Sequence, residues 1–249
     1  MAKWSLSYVL PVHNDEGRLG ANVARLVEHL RERGFEGAEI LLVENGSADR
    51  SWSVCEELAG TRDGVPVLAY REPSAGIGFA YARALAELET RHGPDRARWA
   101  VLTGSDLPWG FSDLESAKPL LDSGKAPVVI GSKAHPDSVA FRGRMRQGMS
   151  FGFRVLRRVI AGMRTGDSQG SIFLRLDVAL PLARRIESRD FFYTTELVYY
   201  AEALPDGVVE VPAVIEASQL VRGATSVRAF SDSRAMLLQL IALRRRGRR

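Results

Sequence analysis

An α/β fold with a mostly parallel central sheet flanked by helices is predicted by three features of this chain. Apolar stretches rich in β-branched residues, at Leu6 to Val12, Glu39 to Val43, Val65 to Tyr70, Trp99 to Thr103 and Pro127 to Gly131, alternate with segments of helical period. That alternation is the rhythm of repeated strand, helix and strand units. The first two stretches each run out into a polar, acidic loop, Pro11-Val12-His13-Asn14-Asp15-Glu16 and Val43-Glu44-Asn45-Gly46-Ser47. Open α/β sheets bind ligands at the carboxyl ends of their strands, so both loops are expected to face one ligand. Finally, 249 residues, 45% of them hydrophobic and 26% charged, suffice for one sizeable core.

Taken in order, the first strand gives way to a helix in which Leu19, Val23, Leu26, Val27 and Leu30 recur at offsets of three and four on one face. Gly34 supplies its stop. Further helices are predicted over Ala48 to Ala59, Gly78 to Thr90, Phe111 to Leu121, Arg142 to Gly162, Leu176 to Glu187 and Thr194 to Ala203. A last strand, Gly207 to Val211, precedes Pro212. The segment Ser231 to Arg249 opens on Ser-Asp-Ser capping signals and carries Met236, Leu237, Leu240 and Ile241 on one side before its arginines.

No apolar run approaches the roughly 18 residues of a membrane span. The sequence passes from Met-Ala-Lys-Trp into the first strand without the regions of a signal peptide. Cys55 is the single cysteine, which rules out a disulfide within the chain. A cytoplasmic location is expected. The formal charge of +4 comes from Arg244, Arg245, Arg246, Arg248 and Arg249; setting them aside leaves 29 basic residues against 30 acidic. Such a tail suits peripheral contact with an anionic membrane, or docking of its apolar side on the domain with the arginines left free. RNA-binding signatures with stacking aromatics are absent, and no nucleic-acid partner is expected.

The two acidic loops resemble those of the family 2 glycosyltransferases, which have the GT-A fold and read Pro-x-Tyr-Asn-Glu and Val-Asp-Asp-Gly-Ser at these places. The resemblance runs in order from about Ser5 to Val214. It implies a GT-A domain over residues 1–220, with a basic amphipathic helix and tail over 221–249. It also implies that Pro11, Asn14, Glu16, Glu44, Gly46 and Ser47 bind a nucleotide-diphosphate sugar. Asn45 replaces the family's second Asp, and His13 its Tyr.

Ala75-Gly76-Ile77-Gly78 opens the third helix, where free backbone N–H groups and the helix dipole favour an anion. Gly76 and Gly78 are therefore candidates for the donor phosphates; a plain tight turn is the alternative. Leu102-Thr103-Gly104-Ser105-Asp106-Leu107-Pro108 stands where the family has Asp-x-Asp. The resemblance assigns Ser105 and Asp106 to the donor and makes Asp106 both a catalytic residue and the ligand of Mg²⁺ or Mn²⁺, a hard cation suited to a leaving diphosphate. Gly104 fills the first position of that motif. A turn or capping role ahead of Pro108 is the other reading of Asp106.

For the acceptor, Gly131-Ser132-Lys133 is followed by a helix on which Arg142, Arg146, Ser150 and Arg154 fall four apart, making a basic, hydroxyl-bearing stripe. This resembles the Gly-Ser-Arg and Arg-x-x-x-Ser pattern of the polyprenyl-phosphate sugar transferases, the dolichyl-phosphate glucose and mannose synthases among them. Asp167-Ser168-Gln169-Gly170 resembles the Asp-Thr-Gln-x-Gly turn of that branch, and Glu210-Val211-Pro212 its Glu-Val-Pro strand. Lys133, Arg142, Arg146, Ser150, Asp167 and Gln169 are the acceptor site implied, against the alternative of a solvated helix face. Phe191 to Leu197 stands in for Phe-Asp-x-Glu-Leu, with Thr194 replacing the Asp; Glu196 is a candidate catalytic base, or else an ion-paired or capping Glu. The implied reaction is inverting transfer to a lipid phosphate. A soluble small-molecule acceptor, or a non-catalytic nucleotide-binding module, are the competing readings.

Overall fold

The computed structural model describes residues 4–139, 144–214 and 229–247, and the backbone alone for 144–147, 149 and 229–234. Eight strands form one sheet: β1 (Ser5–Val12), β2 (Glu39–Asn45), β3 (Gly60–Arg62), β4 (Val65–Glu72), β5 (Arg98–Leu102), β6 (Val128–Ser132), β7 (Ser171–Arg175) and β8 (Val208–Pro212). Their spatial order is β3-β4-β2-β1-β5-β7-β6-β8. The run β4-β2-β1-β5 is parallel throughout, and β8 lies parallel to β6. The hairpin strand β3 and the inserted strand β7 are antiparallel to their neighbours.

The α/β expectation therefore holds, with two strands that the apolar pattern does not announce. β7 reads Ser-Ile-Phe-Leu-Arg and runs straight into the next helix without a turn residue. Its burial comes from its place between β5 and β6.

The helices are α1 (Leu19–Glu32), α2 (Ser51–Leu58), α3 (Ile77–His92), α4 (Ser112–Ser123), α5 (Arg144–Ala161), α6 (Leu176–Ala183), α7 (Phe192–Ala201) and α8 (Ala229–Arg246). Helix α1 buries the predicted stripe and stops at Gly34, whose φ of 65° is the left-handed conformation that a side chain resists. β1 and β2 are covered on both faces, and their side chains alternate between two cores. Tyr8, Leu10, Ile40 and Leu42 meet α1, α2 and α4, whereas Val9, Leu41 and Val43 meet α3, α6 and α7. Leu240 and Leu243 of α8 are fully buried in the second of these cores. Leu240 and Leu243 thus dock on the domain, while Met236, Leu237 and Ile241 are half-buried and Leu238 is exposed. Residues 215–228 and Arg248–Arg249 lie outside the described residues.

At the strand starts, far from the acidic loops, Glu39 is buried and gathers four partners. It accepts from Ser7 Oγ at 2.7 Å and Arg91 Nη2 at 2.9 Å, and lies 2.6 Å from His92 Nε2 and 3.3 Å from Arg98 Nη1. Burial works to raise its pKa, but the Ser7 and His92 hydrogen bonds and the His92 and Arg98 charges outweigh it and hold the carboxyl below its usual range. A depressed carboxylate contributes stability that is present above its unfolded value of about 4.3 and lost as pH falls through the folded one. Glu39→Gln should cost on the order of 2 kcal/mol at neutral pH, less than a fully buried pair because Arg91 is part-exposed. In urea unfolding at several pH values, that cost should shrink steadily below about pH 4.

Candidate functional site

The crevice arises where β1 and β5 part company. Their register ends at Val9 and Leu102, after which β1 continues against β2 alone. The strand order reverses here, since β1 leads through α1 to β2 on one side and β5 leads through α4 to β6 on the other. This is the topological switch point at which open α/β sheets take ligands. Pro11, buried in β1, sits past the last β5 pairing, where a missing N–H leaves no ladder bond unmade on that side.

The loops after β1 and β2 are sewn together. Asn14, at φ 51°, donates its backbone N–H to Ser47 Oγ (3.1 Å), and its Oδ1 accepts from Ala48 N (2.8 Å). Glu16 Oε2 accepts from Arg50 N at 2.9 Å, and His13 Nδ1 lies 3.0 Å from the Asn45 carbonyl. Glu44 is buried; it accepts from Ser47 N at 2.5 Å and faces Arg71 Nε at 3.4 Å. Asn14, Glu16, Glu44 and Ser47 are thus brought together as expected, but with these atoms already holding loop to loop. Gly46, at φ 72°, presses on Ala75, which a Cβ would meet at 3.1 Å. With its amide oriented to satisfy both ends, Asn45 donates to Val12 O and accepts from Gly76 N.

Asp15, which the sequence reading passed over, bridges the crevice. Its carboxylate is nearly fully buried, accepts from Arg18 Nε at 2.6 Å and takes the Ser105 hydroxyl at 2.7 Å. Asn22 Nδ2 donates to the Ser105 carbonyl from α1 (2.9 Å). Asp106 follows, half-buried at the rim. A Cβ on Gly104 would lie 2.6 Å from Asp106 Oδ1, so the first position of the acidic motif is the space into which the Asp106 carboxylate folds. Burial raises the phenol pKa of Tyr81 on α3, and Tyr193 and Asp106 add to the shift.

Gly78, expected at the donor phosphates, has its N–H engaged within the domain. Its N–H donates to Arg189 O at 3.0 Å, and a Cβ there would lie 2.5 Å from the Arg189 carbonyl carbon; one on Gly76 would lie 2.6 Å from Arg189 O. The two glycines let the segment after α6 close over the start of α3. Glu196, the candidate base, is engaged likewise. Its fully buried carboxylate accepts from Glu187 N, Ser188 N and Ser188 Oγ (3.2, 3.1 and 2.7 Å) and from Arg246 Nη1 of α8 at 2.7 Å. With both oxygens so engaged, it fixes the 187–189 segment, in keeping with the ion-paired reading of this residue. Thr194, also buried, donates weakly to Phe191 O.

On the other side of the Asp106 loop, a cleft of about 300 Å³ opens between β6, α5 and the 166–169 turn. Lys133, Ser150, Asp167 and Gln169 line it together, as expected; Arg154, Arg157, Phe151 and Phe153 complete its wall. Arg142 lies outside the described residues, and Arg146 is described by its backbone in α5 alone. Lys133 Nζ donates to Gln169 O (3.0 Å), lies 3.2 Å from Asp167 Oδ2 and stacks 5.4 Å over Trp109, three residues past Asp106. That contact joins cleft and crevice. Asp167 works against its burial through Lys133 and the Gln169 and Lys133 amides, which hold its pKa down. Below it, Glu210 accepts from Gly166 N and Asp167 N, and Glu202 from Arg164 N and Thr165 N. Among the described residues no three His, Cys, Asp or Glu side chains cluster as a metal cage.

A solved structure of mannosyl-3-phosphoglycerate synthase from Rubrobacter xylanophilus shares this architecture with a TM-score of 0.65 at 16% identity, over 99% of this chain and 76% of that one. That likeness is one of fold, the α/β architecture of the GT-A type. Residues 7–180 match the model of glycosyl transferase family 2, and the chain belongs to that family. Dolichyl-phosphate β-glucosyltransferase of Saccharomyces cerevisiae is 21% identical over 91% of this chain and 72% of its own length. Glycosyltransferase AglD of Haloferax volcanii is 25% identical over 95% of this chain, which spans only 36% of that protein.

If Gly78 serves packing, Gly78→Ala should destabilise the protein by about 1–3 kcal/mol without any nucleotide present. Urea unfolding measures it. A glycine kept only for phosphate approach would leave that stability unchanged.

Proposed function

We propose that this glycosyltransferase moves a sugar from a nucleotide-diphosphate sugar in the β1/β5 crevice to a phosphate-bearing polyprenyl acceptor in the adjoining cleft. The observation that carries this reading is the juxtaposition of two sites of different chemistry. Half-buried Asp106 guards one, and a basic wall of Lys133 and Arg154 guards the other, with Trp109 between them. The likeness to a dolichyl-phosphate glucosyltransferase supports the same acceptor class.

The loops at Asn14, Glu44 and Ser47 form the donor's floor, and their mutual hydrogen bonds fix its shape before ligand arrives. The protein offers one carboxylate at the diphosphate, Asp106, which fits a cation carried in by the substrate rather than a resident one. Mg²⁺ binds in this way, through one or two carboxylates with phosphate oxygens and waters. Asp106 would hold it, and the cation would supply charge neutralisation at the leaving diphosphate.

Arg154 and Lys133 orient the acceptor phosphate by charge-assisted hydrogen bonds. One acceptor phosphate oxygen forms the new bond to the anomeric carbon from the face opposite the nucleotide, while the bond to the diphosphate breaks and that group takes the electron pair. Configuration is inverted. An ionised phosphate needs no base to lose a proton, which suits a site in which Thr194 stands for the family's Asp and Glu196 is bound to Arg246.

Two outcomes are expected. Asp106→Ala should lower kcat/KM by about two orders of magnitude or more and abolish the dependence on Mg²⁺ or Mn²⁺, with the unfolding midpoint unchanged. Arg154→Ala should raise the acceptor KM about tenfold and leave the donor KM as it is, in steady-state transfer from a panel of nucleotide sugars to a short-chain polyprenyl phosphate. Transfer to soluble hydroxyl acceptors with none to the lipid phosphate would overturn the acceptor assignment.

A further inference from the structure

From Ser138 to Gly166 the sequence contains no acidic residue and seven arginines. Helix α5 runs through this stretch. Phe153, Ile160 and Ala161 pack it into the core, and Arg157 is buried beside the cleft. Its outward side is apolar: Phe151 is 58% exposed and Val159 76%, with Val155 and Leu156 also exposed. Phe151, Val155 and Val159 fall at successive offsets of four, a ridge of about 12 Å along the helix. Arg158 is exposed next to Val159, and Arg154 stacks 5.2 Å over the Phe151 ring.

We infer that α5, and not the C-terminal tail, is the element by which this chain rests on an anionic membrane surface. An amphipathic helix lies in the plane of a bilayer when bulky apolar side chains enter the acyl boundary and arginines beside them meet lipid phosphates. The ridge supplies the first part and the acid-free arginine run the second. A second copy of the chain is the poorer occupant, because a two-fold contact on the ridge would set Arg154 and Arg158 beside their own copies. α8 offers less, since Leu240 and Leu243 are enclosed by the domain and Leu238 is its one exposed large apolar side chain among the described residues. The same helix gives Ser150, Phe151 and Arg154 to the cleft, so a bilayer under the ridge lies at the cleft's edge. The inference goes beyond the acceptor reading and stands without it.

The test is co-sedimentation of the full chain with phosphatidylcholine vesicles, alone or containing about 30% phosphatidylglycerol, without donor or acceptor. Binding should require the anionic lipid and weaken as salt rises. Val155→Glu with Val159→Glu should lower the partition coefficient about tenfold or more, leaving the unfolding midpoint and the transfer to a detergent-dispersed acceptor unchanged. The same pair changed to Ser, with no new charge, should lower it by less but in the same direction. Replacing Arg244 and Arg245 by Gln should have the smaller effect of the two sites. Undiminished vesicle binding by the Val155 and Val159 variants would overturn the inference. So would absence of binding by the unaltered chain, or a dimer in gel filtration that these variants split. Failure of transfer to lipid phosphate with vesicle binding intact would count against the acceptor reading alone.

Discussion

The site depends first on the separation of two parallel neighbours. β1 and β5 are hydrogen-bonded as far as Val9 and Leu102, and the loops that follow must diverge because β1 leads to β2 on one side and β5 to β6 on the other. Divergence alone would leave a water-filled notch of undefined width. Asp15 sets the width, reaching from the first loop to the Ser105 hydroxyl while Arg18 satisfies its other oxygen. A buried carboxylate with fewer partners would be costly, so the bridge holds only in this geometry.

The same device recurs around the cleft. Asp167, Glu202, Glu210 and Glu196 each capture two or more backbone N–H groups of neighbouring loops. These carboxylates act as clamps on irregular backbone whose amides would otherwise be buried without partners. The floor of the cleft is therefore rigid, and adaptability is left to the exposed side chains of α5.

The sheet and six of the strands were legible because apolar runs and helical periods are local signals. β7 was not, since a five-residue strand buried by its neighbours carries no pattern of its own. Within the site, the loops at Asn14, Glu44 and Asp106 were found through their acidic character, and Lys133, Ser150, Asp167 and Gln169 do share one cleft. What spacing cannot reveal is whether a polar atom is already engaged. Glu196 and Gly78 matched in type and place, yet Arg246 and Arg189, fifty and more than a hundred residues away, take up their bonding capacity. Asp15 went unnoticed for the converse reason, because its partner Ser105 is ninety residues distant.

The Arg246 link has a temporal consequence. A ribosome releases α1 to α7 before residues 229–246, so Glu196 gains its guanidinium partner only once α8 has been made. Through Ser188 and the Arg189 carbonyl, that carboxylate governs the segment lying on Gly76 and Gly78. The start of α3 is consequently held by its full set of contacts only once the C-terminal helix has docked.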